Sequence, residues 1–335
     1  MATATTTTTT TSATAPTSAT ANRITEHTVT VAADPQTVYG LVADVTAWPH
    51  VFGPTVHVEV LQEAPPGGGE QLLRIWAVAN EQVRTWTSRR TLDPVARTVT
   101  FRQVHSAAPV ATMGGEWRIE QTDDGATRVV LLHDYRAVDD DPHAEELIER
   151  AVDTNSRAEL AALKSHAEAG GTRAELHFSF SDSVTVAGAA GDVYGFLNRA
   201  DLWPERLPHV ARLDLTEDEP GIQHMDMDTR SPDGSTHRTT SVRVCAQDTH
   251  TIVYKQLKVP VAMTTHTGRW TLEPLDDGTV RVTSWHTVTL DPEGVRRALG
   301  PDATLAEARA LVRKALGTNS STTLRHAKEF AEARR

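Results

Sequence analysis

The sequence predicts a two-layer α+β fold that occurs twice in the chain, each copy a curved antiparallel sheet around a long C-terminal helix. Three observations predict it. Motifs of the first half return in the second, each half holds a series of short strand-like segments, and each half ends in a stretch of helical periodicity. A length of 335 residues suits two domains of ordinary size.

The duplication is visible as matching segments in one order. Residues 27–31 return as 182–186, the Trp-Pro pair at Trp48 returns at Trp203, and residues 98–103 return as 251–256. Such agreement over many segments predicts two homologous domains, 23–170 and 171–335, joined flexibly near Gly170 and Gly171. Residues 1–22, rich in Thr and Ala, are predicted to be a disordered tail without signal-peptide features.

Within the first copy, periodicity predicts the elements in order. Residues 26–32 alternate as a strand, and Asp34 followed by Pro35 is typical of a helix start. That short helix should end near Ala43, with a second helical piece at Trp48. The next predicted strands are 56–62, 70–78, 83–92, 97–105, 112–121 and 127–136. From Pro142 apolar residues recur three and four apart, which predicts the long helix, and the second copy ends in the same way.

Composition excludes several functions. Forty-four acidic against 33 basic residues give a net charge of −11, and the absence of a basic run argues against nucleic-acid binding. A single cysteine, Cys245, fits a reducing cytoplasmic location, and no apolar stretch is long enough to span a membrane. No metal or cofactor site is expected, because paired cysteines, a His-Glu-x-x-His motif and a phosphate-binding loop are all missing.

One strand of each copy carries candidate site residues. Arg84, Trp86, Ser88 and Arg90 are spaced by two, so they share one face of the strand. The matching positions of the second copy are His237, Thr239, Ser241 and Arg243. Either these polar faces line a cavity between sheet and helix, or they are solvated and recur through ancestry alone.

Two further pairs of residues recur. Asn155 and Asn319 fall on the apolar stripe of the long helices, where an amide either bonds to nearby backbone or lines a cavity. His133 and His286 lie on the last strand of each copy, as structural histidines or as proton acceptors.

These motifs resemble the polyketide aromatase/cyclases of bacterial type II polyketide synthases, members of the START/Bet v 1-like superfamily with the helix-grip fold. The resemblance is carried by Ala47-Trp-Pro49, Trp86-x-Ser88-x-Arg90 and Thr154-Asn-Ser-Arg157, and the duplication is similar to the di-domain subclass.

The resemblance implies regiospecific aldol closure of the first ring (C7–C12), dehydrative aromatisation, or both, on a poly-β-ketone held by an acyl carrier protein. The implied partners are that carrier protein and the minimal polyketide synthase, with a monomeric chain acting as a pseudo-dimer. It implies Arg90, Ser88, Arg243 and Ser241 as catalytic residues. It also implies Trp48 and Trp86 in the first pocket, and Trp203 and Thr239 in the second, as substrate-binding residues. The remaining substrate-binding candidates come from the strand, helix and repeat positions themselves, namely Arg84, Trp117, His133, Asn155, His237, Trp270, His286 and Asn319.

Physical chemistry fits this reaction. Methylenes between two ketones are already acidic, so the tasks are to hold the chain and to stabilise an enolate or alkoxide. Arg90 suits the second task and cannot be the base, so proton transfer falls to water at Ser88 or Asn155, or to His133. Basic residues of the terminal helices could form a carrier-protein patch, namely Arg150, Arg157, Arg309, Arg313 and Lys314.

Two alternatives stay open at this point. The chain could be a non-catalytic carrier of a hydrophobic molecule, as other members of this superfamily are, or a scaffold whose pockets are vestigial. In addition, Thr239 stands where the first copy has Trp86, which leaves open whether the second pocket is catalytic.

Overall fold

The computed structural model describes residues 22–79, 82–230, 234 and 236–335, with backbone only at 172 and 173. Apart from Asn22, the predicted tail 1–22 lies outside the described residues. No helix within these ranges is both long and apolar enough to cross a membrane.

The N-terminal domain begins with a strand and a short helix, continues as a meander of six strands and ends in a long helix. Its elements are β1 (Arg23–Val31), α1 (Pro35–Ala43), α2 (Trp48–Val51), β2 (Thr55–Gln62), β3 (Gly69–Ala79), β4 (Gln82–Asp93), β5 (Thr98–Gln103), β6 (Val110–Gln121), β7 (Thr127–Ala137) and α3 (Pro142–Leu176). Short 3₁₀ helices lie at Val45–Ala47 and Val138–Asp140. Every predicted strand is present, with ends that differ by a few residues.

The C-terminal domain repeats this order and adds one helix. Its elements are β8 (His177–Val186), α4 (Ala190–Asn198), α5 (Trp203–Arg206), β9 (Val210–Glu219), β10 (Ile222–Arg230), β11 (Thr236–Ala246), β12 (Thr251–Lys258), β13 (Met263–Pro274), β14 (Val280–Leu290), α6 (Pro292–Leu299) and α7 (Leu305–Glu332). The added helix is α6, which lies between β14 and α7.

Each domain has one seven-stranded antiparallel sheet. The strand orders are β1-β7-β6-β5-β4-β3-β2 and β8-β14-β13-β12-β11-β10-β9. The first strand of each domain pairs with the last, so the terminal helix that follows can lie across the curved sheet. The predicted fold class, a duplicated helix-grip domain, is confirmed.

Capping side chains mark the starts of two helices, α1 as predicted and α7 in addition. The Asp34 carboxylate accepts the Thr37 N–H at 2.9 Å, and Pro35 occupies the first turn of α1. Helix α7 starts with a capping box, in which Thr304 and Glu307 satisfy each other's backbone N–H groups.

The long helix α3 crosses the predicted domain boundary. Gly170 interrupts it with φ 43° and ψ −129°, a backbone conformation that glycine adopts more readily than other residues. A short further helical segment then leads to His177, where β8 begins.

In each domain apolar clusters lie at both ends of the space between the long helix and the sheet, and the larger one lies toward the C-terminal end of that helix. In the N-terminal domain Leu160, Leu163 and Ala167 of α3 pack there against α1 and strands β6 and β7. Val152 and Asn155, nearer the start of α3, instead face a cavity. The helix therefore supports both the core and one wall of the cavity.

The two domains also share an apolar cluster. Val56, Trp76 and Val83 of the first sheet pack with Val242 and Val244 of the second. Val83 and Val242 alternate with the cavity-facing residues of their strands, so this cluster lies on the outer faces of both sheets.

Candidate active site

A cavity lies between the sheet and the long helix in each domain. The N-terminal cavity has a volume of about 280 Å³ and the C-terminal one about 110 Å³. Nearly all predicted site residues line them. In the N-terminal cavity these are Trp48, Trp86, Ser88, Arg90, Trp117, His133 and Asn155. In the C-terminal cavity they are Trp203, His237, Thr239, Ser241, Arg243, Trp270, His286 and Asn319.

Arg84 is the exception. Its side chain is exposed, donates to Gln82 Oε1 at 2.7 Å and does not line the cavity. The strand alternation was read correctly, but Arg84 stands only two residues into β4, beyond the part that the helix covers. Strand periodicity gives the face of a residue and not its distance from the cavity.

Arg90 is held by a dense set of hydrogen bonds. Its side chain is 2% exposed and donates from Nη1 to the Val42 carbonyl at 3.0 Å and from Nη2 to the Ala43 carbonyl at 2.9 Å. Nε and Nη2 also donate to Gln71 Oε1. The guanidinium stacks on Trp48, 5.1 Å from the ring centroid.

The end of α1 explains this arrangement. The last carbonyls of a helix have no partner within the helix, and the helix dipole places partial negative charge there. Val42 and Ala43 are the last two residues of α1, and the arginine supplies the missing donors and a positive charge. Burial lowers the pKa of Arg90 to about 10, so it stays protonated at neutral pH.

Arg243 repeats the position with fewer partners. It is 2% exposed, stacks on Trp203 at 5.1 Å and donates from Nη2 to the Leu197 carbonyl near the end of α4. Its Nη1 has no hydrogen-bond partner within the protein. Burial lowers the pKa of this arginine too. Arg243 therefore keeps more donor capacity for a ligand than Arg90 does.

Two groups in the N-terminal cavity can accept a proton. His133 Nδ1 lies 3.3 Å from Ser156 Oγ, and burial lowers the pKa of the ring to about 4, so it is neutral at pH 7. Glu159, one helical turn after Asn155, also lines the cavity, and burial raises the pKa of its carboxyl to about 7. The sequence analysis missed Glu159, although its i+4 spacing from Asn155 places it on the same helix face.

The C-terminal cavity holds a network of imidazole and hydroxyl groups. His286 Nδ1 lies 3.0 Å from His266 Nε2 and 3.1 Å from the Tyr254 hydroxyl, and its Nε2 lies 3.3 Å from Ser284 Oγ. Burial lowers the pKa of His286 to about 4 and that of His266 well below its usual value. Both rings are therefore neutral at pH 7. The sequence analysis missed His266 and Tyr254, since Met113 and Phe101 stand at the corresponding places of the first copy.

The two cavities differ in how well their polar groups are satisfied. Among the described residues, five buried polar atoms without a hydrogen-bond partner line the C-terminal cavity, and none lines the N-terminal one. They are His209 Nδ1, Ser241 Oγ, Arg243 Nη1, Gln256 Oε1 and His266 Nδ1. Buried polar atoms are costly unless paired, so this cavity suits a ligand that carries several oxygens.

In the part of the chain that the structure describes, no cluster of three or more His, Cys, Asp or Glu side chains could hold a metal ion. The reacting groups on offer are arginine, histidine, serine, tyrosine and glutamate.

Comparison with known proteins agrees with the fold and the duplication. Residues 23–168 and 177–329 each match the family model described as polyketide cyclase/dehydrase and lipid transport. The chain is 48% identical over 316 residues to the granaticin polyketide synthase bifunctional cyclase/dehydratase of Streptomyces violaceoruber, covering 94% of this chain and 96% of that protein.

Two solved structures share the whole architecture. The di-domain ARO/CYC BexL of the BE-7585A biosynthetic pathway superposes with a TM-score of 0.85 at 50% identity, covering 93% of this chain and 100% of the other. The di-domain ARO/CYC StfQ of the steffimycin pathway gives 0.80 at 38% identity, with 92% and 99% coverage. The chain belongs to the polyketide cyclase/dehydrase family, as a di-domain aromatase/cyclase.

Proposed function

We propose that this chain is a bifunctional cyclase/dehydratase that closes the first ring of a poly-β-ketone and removes water to make that ring aromatic. One observation carries the proposal. Each cavity holds a buried arginine stacked on tryptophan, with a buried serine two residues before it on the same strand. The chain that carries these cavities is 48% identical to a protein named as a bifunctional cyclase/dehydratase.

The arginines supply positive charge where negative charge develops. Ring closure forms a carbon–carbon bond between an enolate carbon and a ketone carbon, and the ketone oxygen becomes an alkoxide that then takes a proton. A fixed guanidinium in a water-poor cavity stabilises both anions without reorganisation. The tryptophan side chains that line the cavity hold the polyketide substrate in one conformation, which lowers the entropic cost of reaching the reactive geometry.

Proton transfer in the N-terminal cavity falls to Glu159 and His133. A carboxyl whose pKa lies near 7 can remove a methylene proton and return it to the alkoxide at neutral pH. Neutral His133 lines the same cavity and offers a second acceptor. Ser88, which is 4% exposed, can orient the reacting oxygen.

We assign water loss to the C-terminal cavity. Dehydration breaks a C–H and a C–O bond, so it needs a base for the carbon proton and an acid for the departing hydroxyl. When His286 Nδ1 accepts from His266 Nε2–H, the lone pair of His266 Nδ1 is left as a base, and Arg243 Nη1 can bind the hydroxyl oxygen. His266 Nδ1 takes the carbon proton as the C=C bond forms and the C–O bond breaks, and it then gives this proton to the departing hydroxyl, which leaves as water.

His266→Met tests this assignment, because Met113 stands at the same place in the first copy. The variant should accumulate a cyclised product that is heavier by one water molecule, as measured by mass spectrometry. Met113→Leu is the matched change in the other cavity and should leave water loss intact. An unchanged ratio of dehydrated to hydrated product in the His266 variant would contradict the assignment.

C7–C12 closure and delivery of the substrate on an acyl carrier protein complete the proposal. Among the basic residues suggested for carrier docking, Arg313 pairs with Asp182 at 2.7 Å, and Arg309 donates to the Glu175 carbonyl. Arg157 is 72% exposed although it pairs with Asp153. A docking patch would therefore rest on Arg157 and other exposed charges rather than on Arg313.

A turnover count separates an enzyme from a carrier, a role that the family description also covers under lipid transport. The protein is added to a minimal polyketide synthase at one hundredth of the amount of substrate formed. An enzyme should yield many cyclised molecules per chain. A carrier would alter at most one molecule per cavity, and that outcome would replace the proposed activity with ligand binding.

A further inference from the structure

Lys255 of the C-terminal domain lies buried against the backbone of the N-terminal domain. Its side chain is 5% exposed, and Nζ donates to the carbonyls of Phe52, Gly53 and Thr55 at 3.3, 2.7 and 2.9 Å. An ammonium group has three hydrogens, and three carbonyls receive them. No ion pair of Lys255 with an acidic side chain occurs among the described residues.

The contacted segment belongs to the N-terminal cavity. Phe52, Pro54 and Thr55 line that cavity, and Phe52 contacts the Trp48 ring edge-on at 5.5 Å. The segment connects the end of α2 to the start of β2, where the buried Phe52 side chain packs in the core and backbone hydrogen bonds hold both ends. These include the Phe52 N–H to the Trp48 carbonyl at 2.8 Å and the Thr55 N–H to the Phe52 carbonyl at 3.1 Å.

The corresponding position of the first copy shows that, of the two matched basic residues, only Lys255 is used for a contact between the domains. Arg102 occupies the same place in the first copy, where its side chain is 52% exposed and pairs with Asp134 at 2.7 Å. The basic residue is thus solvated in one copy and buried against the other domain in the second. Burial lowers the pKa of Lys255 to about 8, an unfavourable effect that the three carbonyls offset.

We propose that Lys255 is a positioning residue for the N-terminal cavity: acting from the C-terminal domain, it holds the Phe52–Thr55 wall and with it Trp48. The inference rests on the proposed function only in naming the reaction that this wall serves. The C-terminal domain would then contribute to ring closure in the N-terminal cavity as well as providing its own cavity. Separating the domains would loosen the wall even if both halves stayed folded.

Hydrogen exchange on the full chain tests the positioning without reference to activity. Lys255→Met keeps the length of the aliphatic side chain and removes the ammonium group. The amides of residues 48–56 should exchange at least about tenfold faster, whereas the matched segment 203–211 should be unchanged. Lys258→Met, an exposed lysine of the same strand, is the control and should match the wild type.

The second readout is the share of correctly cyclised product from the reconstituted synthase. We expect Lys255→Met to raise the KM for the substrate and to increase misfolded by-products, while Lys255→Gln, which keeps amide donors, gives an intermediate effect. Unchanged exchange at 48–56 would overturn the proposal, and so would loss of protection throughout both domains. Faster exchange at 48–56 in a protein that proves not to cyclise anything would retain the positioning and reject the proposed function.

Discussion

At the scale of single residues, the two buried arginines differ in their hydrogen-bond partners, and this difference bears on the chemistry proposed for them. Arg90 donates most of its N–H groups to carbonyls at the end of α1 and to Gln71, whereas Nη1 of Arg243 has no hydrogen-bond partner within the protein. Two identical side chains at matched positions therefore differ in what they can offer a ligand. The difference arises from their neighbours rather than from the strands that carry them.

Substituting these arginines should affect stability unequally. Arg90→Met removes the partner of two helix-end carbonyls and of Gln71 Oε1, and should lower the free energy of unfolding by roughly 3 kcal/mol. Arg243→Met removes one such bond and relieves an unpaired buried donor, so about 1 kcal/mol is expected. Urea unfolding measures both, and an equal loss would contradict this account of their contacts.

Glu159 should set the pH dependence of ring closure. A base is active when deprotonated, so with a carboxyl pKa of about 7 the wild-type rate should rise with pH through that region. Glu159→Gln should lower the rate about a hundredfold and abolish this rise. Glu146→Gln, an exposed glutamate of the same helix, is the control. If the rise persists in Glu159→Gln, another group is the base.

At the scale of elements, the two domains share one strand pattern and differ in what it carries. Strands β4 and β11 present Ser and Arg at matching places, but Trp86 of the first becomes Thr239 in the second. The C-terminal cavity is nevertheless the smaller of the two, and it carries His266 and Tyr254 where the first copy has Met113 and Phe101. Cavity chemistry thus changes while the fold is kept.

Thr239→Trp should block the C-terminal cavity, whose volume of about 110 Å³ leaves no room for an indole and a substrate together. The N-terminal cavity lies in the other domain and should still close the ring. We expect cyclised product that retains its water, measured by mass spectrometry. Thr240→Trp, whose position faces away from the cavity, is the comparison. Full dehydration in Thr239→Trp would place water loss elsewhere.

The strands and long helices, and most residues that line the cavities, could be predicted from the sequence. Period-two alternation located Ser88, Arg90, Ser241 and Arg243, and every predicted strand exists. It could not show that Arg90 caps α1, because that contact joins residues 48 positions apart. Lys255 and Gly53 are separated further still, and nothing in local periodicity links them.

At the scale of the whole molecule, the two domains contact each other through their outer sheet faces. The apolar cluster around Val56 and Val242 and the buried Lys255 join sheets whose inner faces form the two cavities. His50 Nε2 also lies 2.9 Å from Thr267 Oγ1 across the same boundary. The duplication therefore gives one molecule with two unlike cavities and a shared structural support.

Mild acid should destabilise the whole chain. Burial lowers the pKa of His57, His133, His209 and His286 to about 4, whereas an unfolded histidine titrates near 6.5. Between these values the unfolded state binds more protons, so stability falls as pH drops from 6.5 towards 4. From pH 7 to 5 each histidine should cost roughly 2 kcal/mol.

His286→Gln should remove one of these contributions. The fall in the free energy of unfolding between pH 7 and 5 should be about 2 kcal/mol smaller than in the wild type, as measured by urea unfolding. An identical fall in the two proteins would mean that His286 is protonated in the folded state.

The central claim is that the two buried arginine cavities perform the reaction. The most direct test is the product profile of a reconstituted polyketide synthase with Arg90→Gln or Arg243→Gln. The control for each is an exposed arginine of the same strand, Arg89→Gln for the first and Arg238→Gln for the second. With folding verified, the Arg90→Gln variant should convert the polyketide to wrongly closed rings. The Arg243→Gln variant should give a correctly closed ring that has not lost water. A wild-type product profile from both cavity variants would contradict the claim.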